Sequence, residues 1–308
     1  MANETVFKRY AGNPIVTASA VPRANSIHNS AIVKRGEGDY AGVFRVDEIS
    51  MDFVLRVGFS RDGISWDIDP EPIQMQSNDP EVFVTSYSYD PRLTLLEGTY
   101  YLTWCNAGPQ GPKIGFATTK DFKTFTQGED LLPPANRNCV VFPRKINEKY
   151  AIFHRPSDRG HTPFGDIFYA TSPDFVHWGC HRFVFGPMGG WQGLKTGPGP
   201  APIETDEGWL LIYHGVWRSC SGYLYCIGGA LLDLDEPWKV LYRTKDYLLA
   251  PTESYERVGD VPNVCFPSAA VMEPDETLRL YYGCADTCVS MAEAKLSDVI
   301  EFVKTHSF

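Results

Sequence analysis

The residues of this 308-residue chain with the clearest chemical potential are one aspartate, in Tyr89-Asp90-Pro91-Arg92, and a set of cations downstream of it. Those cations are Arg137 within the segment 134–145, Arg155 in His154-Arg155-Pro156-Ser157-Asp158, then Lys195 and His214. Arginine binds planar oxyanions through paired donors and lysine adds a compact charge, so four cations drawn together would hold phosphate. Taken singly, each is equally well a solvated surface charge, and Arg144 and Lys145, beside a turn at Asn147, fit that description best. Asp90 has the setting of a general acid. Pro91 restricts its backbone to extended conformations, and the neighbouring Tyr87 and Tyr89 would desolvate the carboxyl and favour its protonated form, with Arg92 opposing. A structural Asp90–Arg92 ion pair accounts for the same spacing.

Further polar residues stand at matching hairpin positions that would face the same axis: Asn29, Ser30, Arg45, Asn106, Asn138, Asp158 and Asp286, while the loop 161–166 presents His161 and Phe164, which could meet a sugar ring. Sugar rings favour aromatic faces beside such groups, and Tyr89, Phe164, Trp191, Tyr223 and Tyr225 supply candidates, each of which blade packing would also explain. Trp66, Trp178 and Trp238 recur at equivalent positions and read as core. Gly197-Pro198-Gly199-Pro200 is no phosphate loop, because no Gly-Lys-Ser follows it.

What must position these residues is a repeat. A small residue, an alternating apolar strand and an acidic or aromatic turn recur at 58–66, 115–125, 168–178, 227–238 and 284–295, roughly every 55 residues. Each phrase follows a hairpin of alternating apolar and polar residues, at 29–45, 90–104, 142–155, 201–214 and 266–282. Hairpin, following strand and a fourth strand in each connector make five four-stranded units. This predicts an all-β, five-bladed β-propeller as one domain over 1–308, with the active site on the central axis, where inner strands converge. A large β-sandwich would not require five similar units.

Composition narrows the setting. With 28 Lys and Arg against 38 Asp and Glu, the net charge of −10 argues against a nucleic-acid or anionic-membrane partner. No run of about 18 apolar residues occurs, and the first residues lack a signal-like apolar stretch, so a soluble, cytoplasmic protein is expected. The eight cysteines contain no CxxC pair and several sit inside strand patterns, which suits reduced, buried thiols and no metal site.

At these residues the chain closely resembles glycoside hydrolase family 130, the inverting β-mannoside phosphorylases. The likeness runs through 25–30, 41–45, Tyr89-Asp90-Pro91-Arg92, Asn136-Arg137-Asn138, 142–145, 155–158, 160–168, 208–215, 230–238, 259–267 and 281–286, in order along essentially the whole chain. It is most similar to the subfamily acting on mannooligosaccharides and on the mannosyl-chitobiose core of N-glycans. The resemblance implies a five-bladed propeller, and Asp90 as proton donor acting through the 3-hydroxyl of the mannosyl ring. It further implies phosphate binding by Arg137, Arg155, Lys195 and His214 with Tyr225, and a mannosyl site of Asn29, Ser30, Arg45, Asn138 and Asp286, with Asp158 orienting the set. Tyr89, His161 and Tyr223 are the remaining substrate-binding candidates. Inorganic phosphate is then a co-substrate and no cofactor is needed; the partners are a β-mannoside oligosaccharide and phosphate, and the sequence is compatible with a homo-oligomer.

The implied chemistry suits the charge pattern. An inverting hydrolase needs an acid and a carboxylate base, whereas a phosphorylase uses phosphate as nucleophile and replaces the base with cations. β-1,4 linkages are favoured over β-1,2. The competing readings are an inverting β-mannosidase, with Asp158, Asp166 or Asp286 as base, and a non-catalytic carbohydrate-binding propeller.

Overall fold

The computed structural model describes residues 5–82, 87–157, 165–220 and 222–308. Five antiparallel-centred sheets succeed one another along the chain. Their innermost strands are Ala24–Gly36, Ser88–Leu96, Ala135–Val141, Lys195–Pro198 continued by Ile203–Thr205, and Cys265–Met272, which define blades one to five. In blades three and four the inner strand begins upstream of the expected hairpin, so Arg137, Asn138 and Lys195 are inner-strand residues. The outermost strands of blades one to four come from the connectors, as expected. Blade five differs: its outer strand is the N-terminal Lys8–Arg9, paired to Glu293 and Ala292, which closes the ring.

The repeated phrase is a turn signature. In blades one to three a Ser or Thr caps the third strand, and the Asp two residues later accepts two backbone N–H groups through one oxygen: Asp62 from Ile64 and Ser65, Asp121 from Lys123 and Thr124, Asp174 from Val176 and His177. Asp233 repeats the bond in blade four. Such Asx bonds replace the sheet ladder where the chain reverses, and they hold Asp121 and Asp174 below the usual carboxylate range. The tryptophan that ends the phrase in blades one, three and four is half-buried at the edge of the core, where Trp66 meets Phe44, Trp178 meets Phe175 and Trp238 meets Tyr169, whereas Phe125 of blade two is in the core itself.

Strand alternation sends successive side chains to opposite seams. Leu210 and Ile212 face blade five with Leu278, Leu280 and Tyr282, whereas Trp209, Leu211 and Tyr213 face blade three with Phe142, Phe153 and Tyr169. This explains the continuous apolar run 209–213: both faces of the strand are covered. All eight cysteines are free, six of them buried. Among the described residues no helix is long and apolar enough to cross a membrane.

Candidate active site

Four of the five inner strands carry a register break at the same level, between 28 and 31, 89 and 92, 137 and 140, and 267 and 269; blade four is interrupted there instead, between Pro198 and Ile203. A bulge re-aims side chains and frees backbone groups. In three blades the bulged residue lies in the left-handed region: Asn29 at φ 47°, Asp90 at φ 53° and Asn138 at φ 52°. Asn and Asp tolerate that conformation better than other non-glycine residues. Asp90 is therefore not extended. The bulge overrides the preference Pro91 imposes and turns the carboxylate toward the axis.

There a cavity of about 440 Å³ opens, lined by ten of the expected residues: Asn29, Arg45, Tyr89, Asp90, Arg137, Asn138, Arg155, Lys195, Tyr225 and Asp286. One wall is built around Asp90, which accepts hydrogen bonds from Asn29 Nδ2 and Arg45 Nη1, both at 2.9 Å. The expected Asp90–Arg92 ion pair does not form. Arg92 is buried below the cavity, donating through Nε to the Gly199 carbonyl (2.7 Å), through Nη1 to that of Pro91 (2.8 Å) and through Nη2 to that of Pro267 (3.2 Å). It thus ties blades two, four and five at the axis through carbonyls at the level of the strand breaks. Burial lowers its pKa, with Asp90 opposing.

The other wall is cationic. Arg137 is oriented by Tyr89 Oη (3.3 Å) and Ser157 Oγ (3.0 Å). Arg155 is buried, and its Nη1 donates to Nε2 of His214 at 2.9 Å. Its Nε has no hydrogen-bond partner among the described residues, and burial lowers its pKa. Lys195 Nζ lies 5.3 Å and 5.4 Å from the ring centres of Tyr223 and Tyr225. Burial pushes Tyr225 up, keeping the phenol neutral.

Three expected residues lie apart from the cavity wall. His214 is fully buried behind Arg155. A guanidinium only donates, so His214 Nε2 accepts and Nδ1 carries the hydrogen; burial, then the charges of Arg155, Lys195 and Arg92, keeps the ring neutral. Ser30 is buried one layer down, donating to the His28 carbonyl at 3.3 Å. Tyr223 reaches the site through its ring contact with Lys195. Trp191 is structural, stacked on Tyr213 with Nε1 donating to the Lys245 carbonyl at 2.8 Å. Asn106 likewise is buried, donating to Asp130. Asp158, His161 and Phe164 lie outside the described residues. Arg144 and Lys145 form surface pairs with Glu204 and Glu97.

Sequence reasoning missed Asp47, Phe53 and Ser157. Asp47 takes Nε and Nη2 of Arg45, both at 2.8 Å, and Phe53 lies beneath the same guanidinium at 4.9 Å. Their only signal was alternation: Asp47 is two residues beyond Arg45 on one strand and so shares its face. Asp286, at the tip of the last hairpin of blade five, is pushed up to about 7 by burial, with Arg45 opposing and Asp90 reinforcing.

An axial cavity with one wall around a carboxylate and the other of cations is an arrangement for transferring a group to an oxyanion. The chain matches the family model described as β-1,4-mannooligosaccharide phosphorylase over residues 3–305. It is 52% identical to the β-1,4-mannooligosaccharide phosphorylase of Ruminococcus albus, covering 98% of this chain and 92% of that protein. To the β-1,2-mannobiose phosphorylase of Listeria innocua it is 36% identical over 80% of this chain and 67% of the relative. The solved structure of β-1,2-mannobiose phosphorylase from Listeria innocua, complexed with β-1,2-mannobiose, superposes with a TM-score of 0.85 at 28% identity, over 97% of this chain and 99% of that one. The chain belongs to glycoside hydrolase family 130, the family of the β-mannoside phosphorylases.

Proposed function

We propose that this protein catalyses the inverting, reversible phosphorolysis of β-1,4-mannooligosaccharides, giving α-D-mannose 1-phosphate and a shortened acceptor. The observation that carries the reading is the division of the cavity: Asp90 on one side, held by Asn29 and Arg45, and Arg137, Arg155 and Lys195 on the other. Asp90 is the proton donor, relaying its proton through the 3-hydroxyl of the mannosyl ring to the departing glycosidic oxygen. Phosphate, gathered by the cations, attacks the anomeric carbon from the opposite face, so inversion yields the α-phosphate. Asn29, Arg45, Asn138 and Asp286 hold the mannosyl unit, and His214 serves the phosphate site through Arg155. The 52% identity to a β-1,4-specific relative, against 36% to a β-1,2-specific one, supports the linkage.

Phosphate is a co-substrate and the reaction uses no cofactor. Eight free cysteines suit a reducing cytoplasm. A mannosidase would need a base opposite Asp90; Asp286 lines the cavity but lies with Arg45 and Asp90, Asp166 is absent from the wall, and Asp158 lies outside the described residues. The test is incubation with β-1,4-mannobiose, β-1,2-mannobiose and mannosyl-chitobiose, with and without phosphate. Phosphate-dependent mannose 1-phosphate from the β-1,4 substrate, abolished in a folded Asp90→Asn variant, is expected. Free mannose without phosphate would refute the proposal.

A further inference from the structure

The guanidinium of Arg45 directs three hydrogen bonds to two carboxylates. Nε and Nη2, the edge whose parallel N–H groups match a carboxylate, both point at Asp47 (2.8 Å each), and only Nη1 reaches Asp90 (2.9 Å). The rings of Phe53 and Tyr89, 4.9 Å and 5.3 Å from the guanidinium carbon, hold its plane. Asp47 does not line the cavity. Burial pushes its carboxyl up, and the Arg45 fork is the group that opposes this.

From this geometry we infer that Asp47 is a positioning residue that limits the hold of Arg45 on Asp90. By occupying the paired-donor edge, it leaves the acid a single N–H. The inference rests on the reading of Asp90 as proton donor. A general acid must pass between protonated and ionised forms in each turnover, and a fork-to-fork arginine pair would keep it ionised. Without Asp47 the carboxylates left in the field of Arg45 are Asp90, already bonded through Nη1, and Asp286. The remaining groups around Asp90 are Asn29, which donates to it, the charges of Arg92, Arg137, Arg155 and Asp286, and Tyr89, Cys105 and Tyr225, none of which the test alters; the charge of Asp47 itself is lost equally in both backgrounds.

The experiment is the pH profile of phosphorolysis for Asp47→Asn, alone and in an Arg45→Lys background, since lysine has no fork to release. Asp47→Asn alone is expected to lose about tenfold or more in kcat/KM near pH 7.5, with a smaller deficit at more acidic pH and with the KM for phosphate unchanged. In the Arg45→Lys background the same substitution should change the profile less than threefold. A deficit constant across pH, a raised phosphate KM, or an equal loss in both backgrounds overturns the inference. If Asp47→Asn does not fold, Asp47→Glu, which keeps a paired acceptor for the fork, must show the wild-type profile; a displaced one overturns it equally. Wild-type phosphorolysis with an inactive Asp90→Asn variant secures the underlying reading, so a pH-flat deficit at Asp47 then counts against this inference alone.

Discussion

Arg155→Met separates binding from stability in opposite directions. The Arg155 guanidinium is buried, its Nε has no hydrogen-bond partner among the described residues, and its partner at Nη1 is a neutral imidazole 2.9 Å away. A buried cation with no anion in contact among the described residues is costly, and that cost is what an arriving phosphate relieves. Hydrogen bonds to charged groups contribute about 1.5–3 kcal/mol. Losing one such bond should raise the KM for phosphate about 10- to 150-fold, with a much smaller change in the KM for mannobiose. Methionine fills a similar volume without charge, so thermal stability in phosphate-free buffer should hold or rise. Wild type should gain stability as phosphate is titrated in, following RT ln(1 + [L]/Kd), about 2.7 kcal/mol at roughly a hundred times Kd, and the variant should gain far less. The assays are initial rates of mannose 1-phosphate formation over a phosphate series, and calorimetry with and without phosphate. An unchanged phosphate KM, or a loss of several kcal/mol in phosphate-free stability, would refute the claim that Arg155 waits for an anion.

Further outcomes follow from the same structure. Glu256 is fully buried and accepts from Arg9 Nε (2.7 Å) and Nη2 (2.9 Å), Tyr282 Oη (2.9 Å) and the backbone of Thr252 and Glu253; Glu256→Ala strands Arg9 beside the closing N-terminal strand and should cost about 3–5 kcal/mol in denaturant unfolding. Asp286 has a folded-state pKa of about 7 against an ordinary value of 3.8, so the folded state binds the extra proton and wild-type stability should fall as pH rises from about 4 to 7, by about 4 kcal/mol if unopposed. Asp286→Asn should flatten that slope, and a parallel slope in the variant would assign the titration elsewhere. In Gly283→Ala the added methyl would overlap Oδ1 of Asn29 and come within 2.9 Å of its backbone nitrogen; turnover should drop at least tenfold as the Asn29–Asp90 bond is displaced, whereas wild-type rates would show that the seam yields.

The five units were legible because each blade repeats one local solution, an Asx-bonded turn after an alternating strand, and local chemistry is what a sequence displays. The polar residues of the axis were legible for the same reason, sitting at one level of successive hairpins. What escaped were pairings across blades. Arg92 looks like a partner for Asp90 one residue away from Pro91, but the bulge turns the two side chains apart and sends the guanidinium to carbonyls of blades four and five. Lys8–Arg9 carries too little pattern to announce a strand, and its place in blade five is set by ring closure. Asp47 reads as an exposed charge until Arg45 is seen to fold onto it. His214 sits among strand residues whose alternation gives its face but not its depth, and the difference between touching phosphate and holding Arg155 is a difference of depth.

These cross-blade pairings show how Arg92 and Arg155 are held, among the described residues, without a carboxylate in contact. Arg92 is satisfied by carbonyls that the strand breaks leave unladdered, and Arg155 meets an imidazole that burial keeps neutral, so among the described residues neither consumes an acid. The carboxylates that a conventional core would use for pairing are then concentrated around Arg45, where Asp47 and Asp90 accept from it and Asp286 lies in its field. A cavity so divided favours an anion that arrives already nucleophilic, because Arg137, Arg155 and Lys195 line it among the described residues. Moving a carboxylate into the cationic wall should therefore change the reaction and not merely slow it: Lys195→Glu is expected to abolish phosphorolysis, and any residual release of free mannose should be independent of phosphate. Retained phosphate dependence in that variant, measured by mannose 1-phosphate formation, would show that Lys195 is not part of the anion site.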